Sequence, residues 1–193
     1  MLNIIICGAP GSGKGTQSDL IVEKYNLTHF STGDMIRQEI DKGTEWGKIA
    51  DSYISKGNFI PDEMIIDVLI PEICKVNHNQ KGFILDGFPR NIAQSEALET
   101  VLNRKNKPTK ILIDLRVDNE ELTQRLLKRG LVSGRSDDNA ETIKHRLEVY
   151  DKKTLPVSDY YRAINKYAAI DGSGTFEEVF ARITAILDPL IEA

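Results

Sequence analysis

A glycine-rich turn near the start of the chain constrains its fold more than any other feature. Residues 8–14 read Gly-Ala-Pro-Gly-Ser-Gly-Lys and fit the pattern G-x-x-x-x-G-K. The turn follows an apolar run at residues 2–7 and precedes a helical pattern that continues to about Tyr25. A strand, such a turn and a helix in this order predict a phosphate-binding loop, because backbone N–H groups and the positive end of the helix dipole converge there.

The residues after this turn bear on metal binding. We expect Lys14 to reach the β- and γ-phosphates of a nucleotide. The next residue in such a motif is usually a Ser or Thr that ligates Mg²⁺, but here it is Gly15, followed by Thr16. We therefore expect phosphates and water to hold most of the Mg²⁺ coordination shell, which suits its reluctance to dehydrate. Asp86, at the end of a later apolar run, is expected to orient metal-bound water; its alternative role is to form the turn that follows.

Short apolar runs alternate with amphipathic stretches along the rest of the chain. Strands are predicted at about 2–7, 28–31, 82–86, 110–117 and 167–171. Apolar strands without alternation, separated by helices, are typical of a parallel sheet covered on both faces, so we predict an α/β fold. Two stretches, about 32–60 and 130–140, interrupt the rhythm and are predicted to be insertions. Pro156 is expected to kink or restart a long helix that begins near Ala140.

Composition excludes several classes of protein. The net charge of −4 and the 7% of aromatic residues argue against a nucleic-acid partner. No apolar run approaches the roughly 18 residues of a membrane span, and the first residues do not resemble a signal peptide. Cys7 and Cys74 offer neither a disulfide framework nor a metal cluster, and we interpret both as buried thiols. A cytoplasmic protein without a membrane partner is expected.

Four short motifs occur in a fixed order along the chain. They are Gly-Ala-Pro-Gly-Ser-Gly-Lys-Gly-Thr at 8–16, Ser-Thr-Gly-Asp at 31–34, Asp-Gly-Phe-Pro-Arg at 86–90 and Ser-Gly-Arg-Ser-Asp-Asp at 133–138. Their order and spacing resemble the nucleoside monophosphate kinases, most closely the adenylate kinases, over essentially the whole chain. The resemblance implies reversible, Mg²⁺-dependent transfer of the ATP γ-phosphoryl group to AMP, with ATP, AMP and ADP as the partners.

The same resemblance implies an architecture. It is a P-loop NTPase-type three-layer fold with a parallel five-stranded sheet and two mobile insertions in a single kinase domain, 1–193. The expected parts are a core at 1–30, 61–129 and 141–193, a helical NMP-binding insertion at 31–60 and a short lid at 130–140. The lid contains no cysteine. The chain therefore resembles the short-lid type, which implies no structural zinc and a monomer.

Phosphoryl transfer requires in-line positioning and positive charge rather than a general base. By resemblance, the catalytic cations are Lys14, Arg90, Arg129, Arg135 and Arg146. Arginine suits such a site because its planar fork binds phosphate oxygens in pairs. Five other arginines match no motif and are expected on the surface: Arg104, Arg116, Arg125, Arg162 and Arg182.

Nucleotide contacts also follow from the resemblance. Those to ATP are expected from Gly11, Ser12, Gly13, Lys14, Gly15, Thr16, Arg129 and Gly174. Those to AMP are expected from Thr32, Gly33, Arg37, Asn58, Phe59, Ile60, Gly87, Phe88, Pro89, Arg90, Gln94, Arg135 and Arg146. Arg37 and Arg90 are the residues expected to hold the AMP phosphate, while Arg135 and Arg146 move in with the lid.

Two residues favour AMP over pyrimidine nucleotides. Thr32 and Gln94 match the adenylate kinases, whereas the pyrimidine enzymes usually have Ala and Asn in these regions. The Gln94 amide offers one donor and one acceptor, which matches N1 and the N6 amino group of adenine. The alternatives are that Thr32 caps the helix it opens and that Gln94 is solvated. A UMP/CMP kinase and a non-catalytic ATP-binding module remain the alternative functions.

Overall fold

The apolar runs pair into one parallel sheet. The structure is a computed structural model and describes residues 1–76, 79–133 and 137–192. In this part of the chain the sheet has five strands in the order β2-β3-β1-β4-β5. Their bounds are β1 (Leu2–Gly8), β2 (Thr28–Ser31), β3 (Gly82–Asp86), β4 (Ile111–Arg116) and β5 (Tyr167–Asp171). The predicted α/β fold with a parallel five-stranded sheet is confirmed.

Helices connect the strands and cover both faces of the sheet. They are α1 (Lys14–Tyr25), α2 (Thr32–Asp41), α3 (Glu45–Ile54), α4 (Asp62–Lys75), α5 (Ile92–Arg104), α6 (Asn119–Ser133), α7 (Ala140–Val149), α8 (Leu155–Ala163) and α9 (Phe176–Glu192). Successive residues of a strand face opposite sides. Ile4 and Ile6 accordingly pack in the cluster that includes Ile21 of α1, whereas Ile5 packs in the cluster that includes Leu98 of α5.

Two helical parts of the chain have unusual local geometry, a close contact between α2 and α3 and a π-helical turn before α8. Residues 32–54 form two short helices, and Gly47 of α3 lies so close to α2 that an added Cβ would come within 2.1 Å of the Glu39 carbonyl oxygen. Between α7 and α8 the chain makes a π-helical turn, Tyr150–Thr154. This turn lies directly before the helix that contains Pro156, where a break in the long helix is expected.

Two composition-based expectations can be compared with the structure. No helix in the described ranges is both long enough and apolar enough to cross a membrane. Cys7 is buried, and burial raises the pKa of its thiol to about 12. Cys74 is exposed, so its interpretation as a buried thiol is wrong. The neighbouring Ile73 takes the inward position on α4, and Cys74 is rotated away from the core.

Candidate active site

A cleft of about 960 Å³ lies at the carboxyl-terminal edge of the sheet, where ligands of open α/β sheets bind. The described candidate residues that line it are Gly11, Gly13, Lys14, Gly15, Thr16, Gly33, Arg37, Asn58, Phe59, Asp86, Gly87, Pro89, Arg90, Arg129, Arg146 and Gly174. Other described candidates lie behind this surface: Ser12, Thr32, Ile60, Phe88 and Gln94. Arg135 falls outside the described residues.

The glycine-rich turn forms one end of the cleft. Gly11 and Gly13 have φ values of +87° and +94°, which favour glycine. A Cβ on Gly11 would lie 2.9 Å from Leu126 Cγ, so α6 supports the turn from behind. Lys14 Nζ donates to the carbonyl oxygens of Gly8 and Ala9 at 2.8 and 3.0 Å. Burial lowers the pKa of this ammonium group.

Arg90 is half-buried and lines the same cleft. Its Nε donates to the Gly87 carbonyl oxygen at 2.5 Å, and its guanidinium carbon is 4.9 Å from the centre of the Phe59 ring. Burial, together with the positive charge of Arg146, lowers the pKa of Arg90 to about 10, and Asp86 only partly opposes this. The fold therefore holds a poorly neutralised cation here, which an anionic ligand would stabilise.

Gln94 supports Arg90 from behind. Its Oε1 accepts a hydrogen bond from the Arg90 backbone N–H at 2.6 Å, and its Nε2 donates to Asp62 Oδ1 at 2.5 Å. Gln94 is only 1% exposed, so its interpretation as a solvated residue is wrong. Thr32 does not cap α2 either, since Ser31 does, and the Thr32 hydroxyl donates to the Asp86 carbonyl oxygen at 3.2 Å.

Arg129 and Arg146, which line the cleft, share one carboxylate. Arg129 donates from Nε and Nη2 to both oxygens of Asp138, at 2.6 and 2.8 Å. Arg146 Nη1 donates to Asp138 Oδ1 and lies 2.8 Å from Asp137 Oδ2. Burial alone would lower the pKa of Arg129, but the hydrogen bonds and charge of Asp138 outweigh it and raise that pKa.

The segment before Phe59 packs against α7, which carries Arg146. Gly57 is buried, and a Cβ there would lie 3.0 Å from Arg146 Cγ. The next residue, Asn58, places Oδ1 2.9 Å from His145 Nε2. Two segments that line the cleft thus contact each other.

Arg125 is a cleft residue that the sequence analysis missed. The sequence predicts a surface position for it, but Arg125 lines the cleft beside Gly13, where a Cβ would lie 4.0 Å from its Nη1. Its Nη2 donates to Glu121 Oε1 and to the Gly172 carbonyl oxygen. The usable signal was its position four residues before Arg129, because such residues share one face of a helix.

The metal-binding expectation can be tested against the donors at the cleft. Asp86 lines the cleft at the end of β3, and nothing lies within 4 Å of the Cβ position at Gly15. Among the residues that the structure describes, no group of three or more His, Cys, Asp or Glu side chains could hold a metal ion. The Asp86 carboxylate at the cleft would suit a Mg²⁺ ion whose other ligands are phosphate oxygens and water.

Comparison with known proteins agrees with this geometry. Residues 6–166 match the family model described as "Adenylate kinase". The chain is 54% identical over 183 residues to a Parabacteroides distasonis protein named adenylate kinase, covering 95% of this chain and 96% of that protein. It is 53% and 52% identical over 190 residues to the proteins of that name from Phocaeicola vulgatus and Bacteroides fragilis, covering 98% of this chain and all of each relative. The chain belongs to the adenylate kinase family.

Proposed function

We propose that the chain catalyses the reversible transfer of the γ-phosphoryl group of ATP to AMP, giving two ADP. One observation carries the proposal: a single cleft brings the glycine-rich turn together with Arg37, Arg90, Arg129 and Arg146. Two phosphate groups can therefore be held in one cavity with cations on both sides. Such an arrangement supplies the positioning and charge stabilisation that phosphoryl transfer requires.

On the donor side, the backbone of the turn and Lys14 would hold the ATP phosphates. The two hydrogen bonds of Lys14 to the loop carbonyls keep the ammonium group over the turn. Gly15 and Thr16 contribute backbone N–H groups at the start of α1, where the helix dipole favours an anion. Arg129 would contact the phosphates from α6, with Gly174 near the ATP base.

On the acceptor side, Arg90 and Arg37 would hold the AMP phosphate. The Arg90 guanidinium packs on the Phe59 ring, and Arg37 is paired with Asp34. Thr32 and Gln94, which lie just behind the surface of the cleft, would favour adenine over other bases. For Gln94 to reach the base, its amide must exchange the Asp62 contact for the base edge while it keeps the Arg90 contact.

We further propose a division of the chain into moving parts. The core at 1–30, 61–129 and 141–193 would carry an AMP-binding insertion at 31–60 and a lid at 130–140. Arg146 would bridge the transferring phosphate, and the same role is proposed for Arg135. Closure of the lid would exclude water and so prevent hydrolysis of ATP.

Mg²⁺ bound to ATP would supply positive charge to the phosphate oxygens. Asp86 would orient its water ligands from the end of β3. We propose no structural zinc, and we propose that the protein acts as a cytoplasmic monomer on nucleotides alone. The net charge of −4 supports the absence of a nucleic-acid partner.

The test is ADP formation from Mg-ATP with AMP, CMP, UMP or GMP as the acceptor, and without acceptor. We expect a strong preference for AMP and little hydrolysis of ATP alone. Faster turnover with CMP or UMP would keep the reaction class but contradict the assignment of the acceptor. Loss of ATP at the same rate without acceptor would show an ATPase and overturn the proposal.

A further inference from the structure

Thr154 lies outside every sequence motif, yet it contacts the central arginine of the cleft. The Arg90 side chain donates a hydrogen bond to the Gly87 carbonyl oxygen, and the Arg90 backbone N–H donates to Gln94 Oε1. The Arg90 carbonyl oxygen accepts a hydrogen bond from Thr154 Oγ1 at 3.1 Å. Thr154 is 5% exposed and lines the same cleft.

The position of Thr154 depends on the π-helical turn. The turn ends at Thr154, and the Leu155 N–H donates to the Tyr150 carbonyl oxygen, five residues earlier. Pro156 cannot donate a backbone hydrogen bond, and in a continuous α-helix its ring would clash with the carbonyl four residues before it. The wider turn avoids this clash, and π-helical turns are frequent at functional sites.

The helix that follows is fixed to the sheet. Ser158 Oγ donates to Asp114 Oδ2 at 2.9 Å, and both residues are buried. Val157 and Tyr161 of the same helix are completely buried in the core. Thr154 immediately precedes this anchored segment, so its hydroxyl is held at a defined position beside Arg90.

We propose that Thr154 is a positioning residue for the acceptor phosphate. By fixing the Arg90 carbonyl, its hydroxyl sets the direction in which the Arg90 guanidinium enters the cleft. The inference rests on the proposed function, because it concerns the grip of Arg90 on AMP. Thr154 acts through Arg90, so its effect should disappear when the Arg90 side chain no longer holds the phosphate.

The test compares Thr154→Val, which keeps the shape and removes the hydroxyl, with Thr154→Ser, which keeps the hydroxyl. We expect Thr154→Val to raise KM for AMP about tenfold while KM for ATP changes less than about twofold. Thr154→Ser should stay within about twofold of the parent protein for both nucleotides. Thr184→Val is the matched control, since that exposed hydroxyl donates within α9, to the Ala181 carbonyl oxygen.

Further measurements test whether Thr154 acts through Arg90. In an Arg90→Met background, adding Thr154→Val should leave the calorimetric affinity for AMP unchanged; a further loss would contradict action through Arg90. An unchanged KM for AMP in Thr154→Val would overturn the inference, as would a Ser variant as weak as the Val variant. Thr154→Ala replaces the Val variant if the latter does not fold. If the parent protein binds AMP without forming ADP, the proposed function fails, while the AMP affinities of these variants still test Thr154.

Discussion

Arg90 and Arg129 lie in one cleft and have opposite electrostatic surroundings. Arg90 contacts a carbonyl oxygen and an aromatic ring, and burial beside Arg146 lowers its pKa. Arg129 is held by both oxygens of Asp138, and these contacts raise its pKa. The charge of the first arginine is therefore only partly offset, by Asp86, whereas the second arginine is paired directly with Asp138.

This difference suggests two ways of preparing an anion site. At Arg90 the fold holds an unfavourable charge, so a phosphate relieves an existing cost as it binds. At Arg129 and Arg146 a phosphate must compete with Asp138, whose side chain is 0% exposed. Asp138 in turn fixes the geometry of both guanidinium groups. We therefore expect the Arg90 side to govern acceptor affinity and the Asp138 side to govern the rate of transfer.

Replacement of Arg90 tests the first half of this comparison and should have the largest effect. Arg90→Met should reduce kcat/KM for AMP by about 10³-fold, because the preorganised charge that holds the acceptor phosphate is lost. The dissociation constant for ATP should change little. Steady-state kinetics and equilibrium ATP binding check both statements. Arg104→Met, at the exposed end of α5, is the control, and a variant of Arg90 that retains turnover would remove it from the site.

Replacement of Asp138 tests the second half. Asp138→Asn keeps the shape but removes the shared counter-charge, so Arg129 and Arg146 lose their fixed geometry. We expect kcat to fall about 30-fold with the affinity for AMP unchanged. Single-turnover measurements and AMP titration provide the two readouts. Asp159→Asn, an exposed partner of Arg162, is the matched control. A weaker affinity for AMP without a change in kcat would reverse the roles given to the two sides.

A smaller effect is expected at Gln94. Gln94→Asn shortens the amide that contacts Arg90 and Asp62. We expect kcat/KM to fall about tenfold for AMP and about threefold for CMP and UMP, since one bidentate contact to adenine is lost. Parallel assays of the three acceptors measure the difference, with the exposed Gln124→Asn as control. An equal loss for all three acceptors would show that Gln94 supports Arg90 without reading the base.

The smallest effect is expected on thermal stability. The sign of the change in Tm on replacement should differ between Arg90 and Arg129. The pKa of Arg90 is lower in the fold than its ordinary value, so the folded protein disfavours the charged form, and Arg90→Met should raise Tm. The pKa of Arg129 is raised, so the folded protein favours its charged form, and Arg129→Met should lower Tm. Shifts of about 2–4 °C are expected for a chain of this size. Calorimetry without nucleotide measures both; two shifts of one sign would break the comparison.

Local patterns in the sequence predict most of the fold. The strand at 167–171 and the glycine-rich turn between β1 and α1 depend on residues close in the chain, and the structure has these elements where they are predicted. The site is less predictable, because its contacts join distant segments. The contact of Gln94 with Asp62 spans 32 residues, and Arg125 reaches the cleft only because α6 packs behind the turn. The pairing of Arg129 with Asp138 likewise requires the folded chain.

The contact between Asn58 and His145 has a consequence for how the two nucleotides influence each other. It joins the segment proposed to lie beside the acceptor nucleotide to the helix that carries Arg146. If AMP binding strengthens this contact, and if the contact also favours the position of Arg146 that suits ATP, the two nucleotides bind cooperatively. Linkage then requires reciprocity: the factor by which AMP improves ATP binding equals the factor by which ATP improves AMP binding. Cooperation between the substrates would thus be measurable from either side, as one coupling free energy.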